Sequence, residues 1–100
     1  MLAGVKINAN VAGLDSRAKW KICDRATNEA AKIENLISWA QRAGKHTGFA
    51  TTTRITHATL AAIYAHTNDR YWECDSKIPL QYRNCVKDVA RQLVEDEPGR

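Results

Sequence analysis

Apolar positions in residues 15–44 recur at steps of three and four, the period of an α-helix that is buried on one side. Asp15 and Ser16 supply side-chain oxygens that can cap the first turn, and Gly44 suits the position just after a helix end. The pattern therefore predicts one long helix over residues 15–44. Its apolar stripe consists of Ile22, Ala26, Ala30, Ile33, Ile37 and Ala40.

A second side of this predicted helix is basic and carries exposed aromatic residues. At about 100° per residue, its side chains point away from the apolar stripe. Tryptophan and arginine are enriched among the residues that dominate binding at protein interfaces. We therefore predict that this side contacts a partner through Arg17, Trp20, Lys21, Arg25, Lys32 and Trp39.

The beginning of the chain alternates between apolar and polar residues, with Val5, Ile7 and Val11 on one side. A period of two is typical of a strand, so residues 1–14 are predicted to form an extended arm or strand. Residues 49–56 are rich in threonine and fit either a strand beside this arm or the start of a helix.

Two further helices are predicted, over residues 56–67 and 78–95, with Pro79 tolerated in the first turn of the second. Trp72 lies between them and is expected in the core. The predicted fold is mostly α, a compact three-helix domain over residues 1–100 with one long N-terminal helix and, as an option, a minimal two-stranded sheet.

Charge narrows the class of partner. The 100 residues carry a net charge of +4. Residues 1–50 hold eight Lys or Arg against four acids, whereas residues 51–100 hold seven of each. This asymmetry favours a polyanion or an acidic protein surface as partner, although a solvated basic face serving solubility alone fits the same charges.

The cysteines Cys23, Cys74 and Cys85 are odd in number and widely spaced. This spacing matches neither a disulfide framework nor the paired cysteines of a zinc site. We therefore expect no metal, no cofactor, and thiols that stay reduced. We expect no secretion leader, and no apolar run reaches roughly 20 residues, so a cytoplasmic protein without a membrane partner is predicted.

No catalytic motif stands out. His46, His57 and His66 are isolated in sequence, and neither a phosphate-cradling glycine loop nor an H-E-x-x-H pair occurs. The sequence predicts a protein that is not an enzyme, has no catalytic residues and acts on no small-molecule substrate.

Residues 58–95 resemble ryanodine-receptor-type domains and small helical phage proteins. The resemblance implies a helical scaffold with a phage or mobile-element origin. It is carried by Ala62-Ile63, His66, Tyr71-Trp72, Pro79, Tyr82-Arg83, Val86 and Val89-Ala90.

Together these features predict a phage inhibitor of the anti-CRISPR type that occludes a host protein or nucleoprotein complex in the host cytoplasm. Asp69, Tyr71 and Glu73 join the basic side as predicted partner contacts, because acids beside an aromatic residue suit such a surface. A small basic nucleic-acid-binding module is the first alternative. A virion or assembly subunit is the second.

Overall fold

Four short α-helices are the main regular elements of this chain in a computed structural model, which describes residues 3–100. No sheet forms within this range, where three isolated bridges are the only strand-like pairings. The predicted mostly α class is confirmed, and the optional two-stranded sheet does not form in the described residues. The helices are α1 (Arg25–Ala31), α2 (Leu36–Arg42), α3 (Ala58–Tyr64) and α4 (Val89–Glu95), with 3-10 helices at Asp75–Lys77 and Leu80–Tyr82.

The predicted long helix over residues 15–44 is wrong, because helical structure starts late and is then interrupted. α1 begins only after Asp24, which caps it with its carboxylate. Lys32 ends α1 with a ψ of 131°. Asn35 is extended and starts α2, its side-chain oxygen accepting the N–H of Ile37 at 2.9 Å. An apolar period of 3.6 thus continues across two helices that are separate in space.

The break after α1 lets the backbone pair with an earlier loop. The N–H of Ile33 donates to Gly13 at 3.0 Å, and the N–H of Asp15 donates to Ala31 at 2.8 Å. These bonds replace helical ones and bring Leu14 to full burial. The result is a small apolar cluster of Val11, Leu14, Ala18 and Ala31.

The other two predicted helices are shorter than expected. Only Ala58–Tyr64 of residues 56–67 is helical. In residues 78–95, a 3-10 helix at Leu80–Tyr82 and irregular chain precede α4, which begins after Asp88, whose carboxylate accepts the N–H of Arg91 at 2.8 Å. Residues 49–56 form an irregular loop, so neither the strand nor the helix start predicted there occurs.

The predicted arm over residues 1–14 begins outside the described residues, which leave out residues 1 and 2. Residues 3–14 form no strand, although Ala12 pairs with Thr67 in an isolated antiparallel bridge. Val11 is buried whereas Val5 is exposed, so the alternation does not produce a buried face. That residues 1–100 are one independent domain stays a prediction.

A second core lies between α3 and α4. Its buried members are Leu60, Ala61, Tyr64, Ala65 and Val89, with Ile63 and Leu93 packed against them. Trp72 is buried beside this region, as predicted, with 3% of its surface exposed. Its carbonyl accepts the N–H of Val89 at 3.0 Å, which joins the segment after α3 to the start of α4.

A disulfide between Cys23 and Cys85 ties the start of α1 to the loop before α4, with the two Cα atoms 6.2 Å apart. The prediction that these cysteines are free thiols is wrong. Sequence spacing could not reveal the bond, because 62 residues separate the partners and only folding brings them together. Cys74 is a free thiol. In the described part of the chain, no helix has the length and apolar character needed to span a bilayer.

Candidate functional site

Arg70 is a half-buried arginine whose charge has no protein partner within residues 3–100. Its guanidinium forms no ion pair and donates no hydrogen bond there. No buried side-chain nitrogen in this range lacks a hydrogen-bond partner, so the unpaired nitrogens of Arg70 are open to solvent. Such a group is available to bind an anion.

The turn that carries Arg70, residues 67–70, is anchored through its backbone to the N-terminal loop. The N–H of Arg70 donates to the carbonyl of Asn10 at 2.8 Å. Thr67 exchanges two hydrogen bonds with Ala12, at 2.9 and 3.0 Å. The N–H of Lys21 donates to the carbonyl of Asn68 at 3.0 Å. The main chain of the turn is therefore held at Thr67, Asn68 and Arg70.

A buried amide pair holds the same turn against α1. The amides of Asn28 and Asn68 bond each other reciprocally, at 2.5 and 3.1 Å. Asn68 also donates to the carbonyl of Lys19 at 3.2 Å. Thr67, Asn68 and Asp69 expose 2% of their surface or less. A buried and satisfied polar network of this kind fixes one conformation, because each lost partner leaves a costly unpaired group.

Tyr71 lies next to the unpaired charge. The guanidinium carbon of Arg70 sits over the Tyr71 ring, 5.6 Å from its centroid, within the range of a cation–π interaction. The N–H of Tyr71 donates to the buried carboxylate of Asp69 at 2.9 Å. The backbone on both sides of the Arg70–Tyr71 pair is thus fixed by hydrogen bonds.

The other arginines of the described chain are less available. Five of them lie within 3.4 Å of a carboxylate: Arg17, Arg42, Arg54, Arg91 and Arg100. Arg83 donates to the carbonyl of Ile78 at 3.2 Å. Arg25 has no partner among residues 3–100 but is exposed on the first turn of α1. Arg70 is therefore the arginine that combines an open guanidinium with a fixed, half-buried position.

Glu73 lies near this turn, and its carboxylate forms ion pairs that stabilise the fold. Its side chain is 10% exposed and lies 3.0 Å from Arg54 and 3.2 Å from Lys77. Thr56 also donates to it at 2.9 Å. Burial alone would raise the pKa of Glu73, but these three hydrogen bonds outweigh burial and lower the pKa. Glu73 therefore stays ionised and ties the loop before α3 to the segment after it.

Two histidines also make structural contacts. The ring of His57 accepts the N–H of Thr59 and so caps α3. His66 is largely buried beside Ile33, and burial lowers the pKa of its ring. Gln92 bonds both the N–H and the carbonyl of His66, at 2.8 and 3.1 Å. Both rings thus stabilise the fold.

A cleft of about 1200 Å³ lies between the α1–α2 region and the C-terminal segment. Several of its charges are already paired with each other. Lys32 lies 3.0 Å from Glu29, and Arg42 lies 2.6 Å from Glu34. Arg25, which has no partner among residues 3–100, also lines the cleft, but it is exposed and so lacks the half-buried position of Arg70. Nowhere in residues 3–100 do three or more His, Cys, Asp or Glu side chains lie close enough to hold a metal ion.

The residues predicted to form one basic helix face lie on different elements of the structure. Arg17 pairs with Asp15 at 2.6 Å, and Lys32 pairs with Glu29. Trp20 and Lys21 precede α1 and form a cation–π pair at 4.6 Å. Arg25 lies on α1, and Trp39 is exposed on α2. The geometric premise of one helix face is wrong, although contact of any of these residues with a partner stays a prediction.

The three predicted contacts of the later segment have different surroundings. Asp69 is buried in the turn, and Glu73 is held by its cations, whereas Tyr71 is 58% exposed. A role for each in partner binding stays a prediction. Sequence reasoning named both neighbours of Arg70 and missed Arg70 itself. Its signal was an arginine directly after the turn-forming Asn68-Asp69, which one sequence cannot distinguish from an ordinary surface cation.

Comparison with known proteins gives one consistent family. Residues 1–98 match the model of the alkaline phosphatase family. The chain is 42% identical over 99 residues to alkaline phosphatase 4 of Drosophila melanogaster, covering 99% of this chain and 16% of that protein. It is 39% identical over 98 residues to the tissue-nonspecific isozyme of Gallus gallus, covering 97% and 18%. A membrane-bound alkaline phosphatase of Bombyx mori is 33% identical over 100 residues, covering 98% and 18%. The chain therefore spans less than a fifth of the length of these three relatives.

These matches overturn the functional predictions. The resemblance to ryanodine-receptor-type domains and phage proteins is wrong, because nearly the whole chain aligns with phosphatases. The predicted anti-CRISPR inhibitor, its host nucleoprotein partner, and the alternative roles in nucleic-acid binding and virion assembly are wrong for the same reason. The prediction of a non-enzymatic protein without a small-molecule substrate is also wrong, since the relatives are named as phosphatases, which are hydrolytic enzymes acting on phosphate esters. A charge asymmetry and an apolar period do not carry enough information to identify such a family.

Proposed function

Because the chain belongs to the alkaline phosphatase family, we propose that it contributes to the hydrolysis of phosphate esters, with Arg70 as the residue that binds the phosphate group. The open guanidinium of Arg70 carries this proposal. A phosphate ester presents planar pairs of oxygens, and a guanidinium can donate two parallel N–H bonds to such a pair.

The chemistry of hydrolysis gives this contact a role in catalysis. Water oxygen replaces the alcohol oxygen at phosphorus, and negative charge is carried by the non-bridging oxygens during the transfer. A fixed cation beside those oxygens stabilises the transition state, because it needs no reorganisation at the moment of reaction. The anchored turn at residues 67–70 supplies that fixed position.

The half-burial of Arg70 strengthens the proposal. A fully exposed arginine interacts with an anion through water, which screens the attraction, whereas partial burial reduces that screening. None of the unpaired nitrogens of Arg70 is fully enclosed, which supports access by an incoming phosphate.

The disulfide supports a proposal about compartment. Disulfides persist in oxidising environments and are rare in the cytosol. We therefore propose that the chain carrying Cys23–Cys85 folds in an oxidising compartment, in place of the cytoplasm that the sequence predicted. Labelling of thiols in freshly extracted protein tests this: one reactive cysteine supports the proposal, and three reactive cysteines contradict it.

Binding of inorganic phosphate to the purified chain tests the role of Arg70. Hydrogen bonds to charged groups contribute roughly 1.5–3 kcal/mol each, so Arg70→Ala should weaken binding by about tenfold or more. Arg70→Lys should retain part of the affinity, because it keeps the positive charge but loses the two parallel N–H donors of the guanidinium. Lys45→Ala is the matched control, since it removes an exposed cation that forms no ion pair within residues 3–100. Equal phosphate affinity in Arg70→Ala and the unmodified chain would refute the proposal.

A chimera extends the test to hydrolysis. Replacing the 99 matched residues of the Drosophila relative with this chain places Arg70 in a full-length alkaline phosphatase. Loss of one preorganised donor typically lowers kcat by about 100- to 1000-fold. Arg70→Ala should do so in an active chimera, whereas Lys45→Ala should leave kcat unchanged. A loss below tenfold for Arg70→Ala would exclude the proposed role in the transition state.

A further inference from the structure

The geometry points to Tyr71 as a positioning residue that orients the Arg70 guanidinium for phosphate. This inference rests on the proposed function of Arg70. The observation behind it is the placement of the Arg70 guanidinium over the Tyr71 ring, at 5.6 Å from the ring centroid. Within residues 3–100 the Arg70 guanidinium donates no hydrogen bond, so the ring of Tyr71 is its one identified partner there.

A ring under a guanidinium restrains it without using its donors. The N–H groups of arginine lie in the guanidinium plane, whereas an aromatic ring attracts the cation through its face. Tyr71 can therefore hold Arg70 while all five N–H donors remain available to an anion. A carboxylate in the same place would occupy the donors that phosphate needs.

A backbone hydrogen bond fixes the position from which the Tyr71 side chain extends. Tyr71 is 58% exposed, so the core does not fix its position. Its N–H instead donates to the carboxylate of Asp69 at 2.9 Å, and Asp69 itself is buried. The ring therefore starts from a fixed backbone position on the same turn as Arg70.

The energetic role of the ring is preorganisation. An arginine side chain has many rotamers, and ordering them on binding costs free energy that reduces affinity. Contact with Tyr71 populates the binding orientation before phosphate arrives. A cation–π contact at an exposed site corresponds to about 0.5–1 kcal/mol, so loss of the ring should weaken phosphate binding about two- to fivefold.

The test compares phosphate affinities of Tyr71 variants by calorimetry, with inorganic phosphate as the probe. Tyr71→Ala should bind phosphate two- to fivefold more weakly than the unmodified chain. Tyr71→Phe should bind it with unchanged affinity because the ring remains. In an Arg70→Lys background, Tyr71→Ala should have a smaller effect, since an ammonium has no plane to orient. Leu80→Ala controls for loss of an exposed apolar side chain, and unchanged urea midpoints show that the variants are folded.

The outcomes separate this inference from the proposal beneath it. If Arg70→Ala weakens binding and Tyr71→Ala does not, the positioning role is overturned and the role of Arg70 survives. If Tyr71→Phe loses as much as Tyr71→Ala, the hydroxyl contacts phosphate directly and the positioning role is again overturned. If Arg70→Ala itself has no effect, the proposed function fails and the positioning role fails with it.

Discussion

Replacing Cys23 and Cys85 with serine removes a cross-link that closes most of the chain into one loop. The two cysteines are 62 residues apart in sequence. A disulfide restricts the unfolded chain, and the restriction grows with the logarithm of the loop length. For this separation the chain-entropy relation gives about 4 kcal/mol at 25 °C. That is a large share of the roughly 5–15 kcal/mol typical of domain stability.

Urea unfolding followed by circular dichroism measures this loss. With a urea m-value of about 1–1.5 kcal/mol/M for a chain of this size, the midpoint of the double serine variant should fall by about 3 M. Cys74→Ser is the matched control, because Cys74 is a free thiol and its replacement leaves the cross-link intact. Its midpoint should stay close to that of the unmodified chain.

A loss of less than about 1 kcal/mol of stability in the double variant would refute the predicted effect of the cross-link, because it is well below the chain-entropy value. An equal loss of stability in Cys74→Ser would also refute it, since replacement of any cysteine by serine would then have the same effect. Reduction with dithiothreitol offers an independent comparison. The reduced unmodified chain and the double variant should unfold at similar urea concentrations.

Two further predictions concern the loop at Gly13 and the acid at Glu73. Gly13 has a φ of +68°, and a Cβ there would press against the carbonyl oxygen of Ala65, so Gly13→Ala should cost at least about 2 kcal/mol in urea unfolding. Gly4→Ala has the same φ and open space around its Cβ, so it should cost only the backbone strain, about 1 kcal/mol; equal losses would contradict the contact. The pKa of Glu73 is lowered from its ordinary 4.5, because hydrogen bonds outweigh burial, so its contribution to stability is complete above that pH and is lost as pH falls below it. The urea midpoints of the unmodified chain and Glu73→Gln should therefore converge as the pH is lowered below 4.5, and a difference that stays constant as the pH falls would rule out this linkage.

The helical class and the burial of Trp72 could be predicted from the sequence. The predicted positions of the helix ends were wrong. Asp24, Asn35 and Asp88 each start a helix by capping it. All three lie inside segments that were assigned to continuous helices. Capping residues within an apolar period are start signals, and giving them more weight would have divided the predicted helices correctly.

The candidate site was less accessible to sequence reasoning because its parts come together only through long-range contacts. Asn28 and Asn68 look like ordinary turn and helix residues until they pair in the interior. Arg70 looks like any surface cation until the structure shows that no carboxylate within residues 3–100 pairs with it. The pairing of Cys23 with Cys85 likewise depends on a fold that spacing does not encode.

The anchoring of the turn at residues 67–70 has a consequence for the time course of folding. Its side-chain bonds to Asn28 and Lys19 join residues 40 and 49 positions apart in sequence. Closing such loops costs entropy before any contact is gained, and folds rich in distant contacts form slowly. The orientation of Arg70 should therefore be one of the last features to form after synthesis. In a chain emerging from the ribosome, Arg70 should therefore become ordered only once the N-terminal loop has docked on the turn.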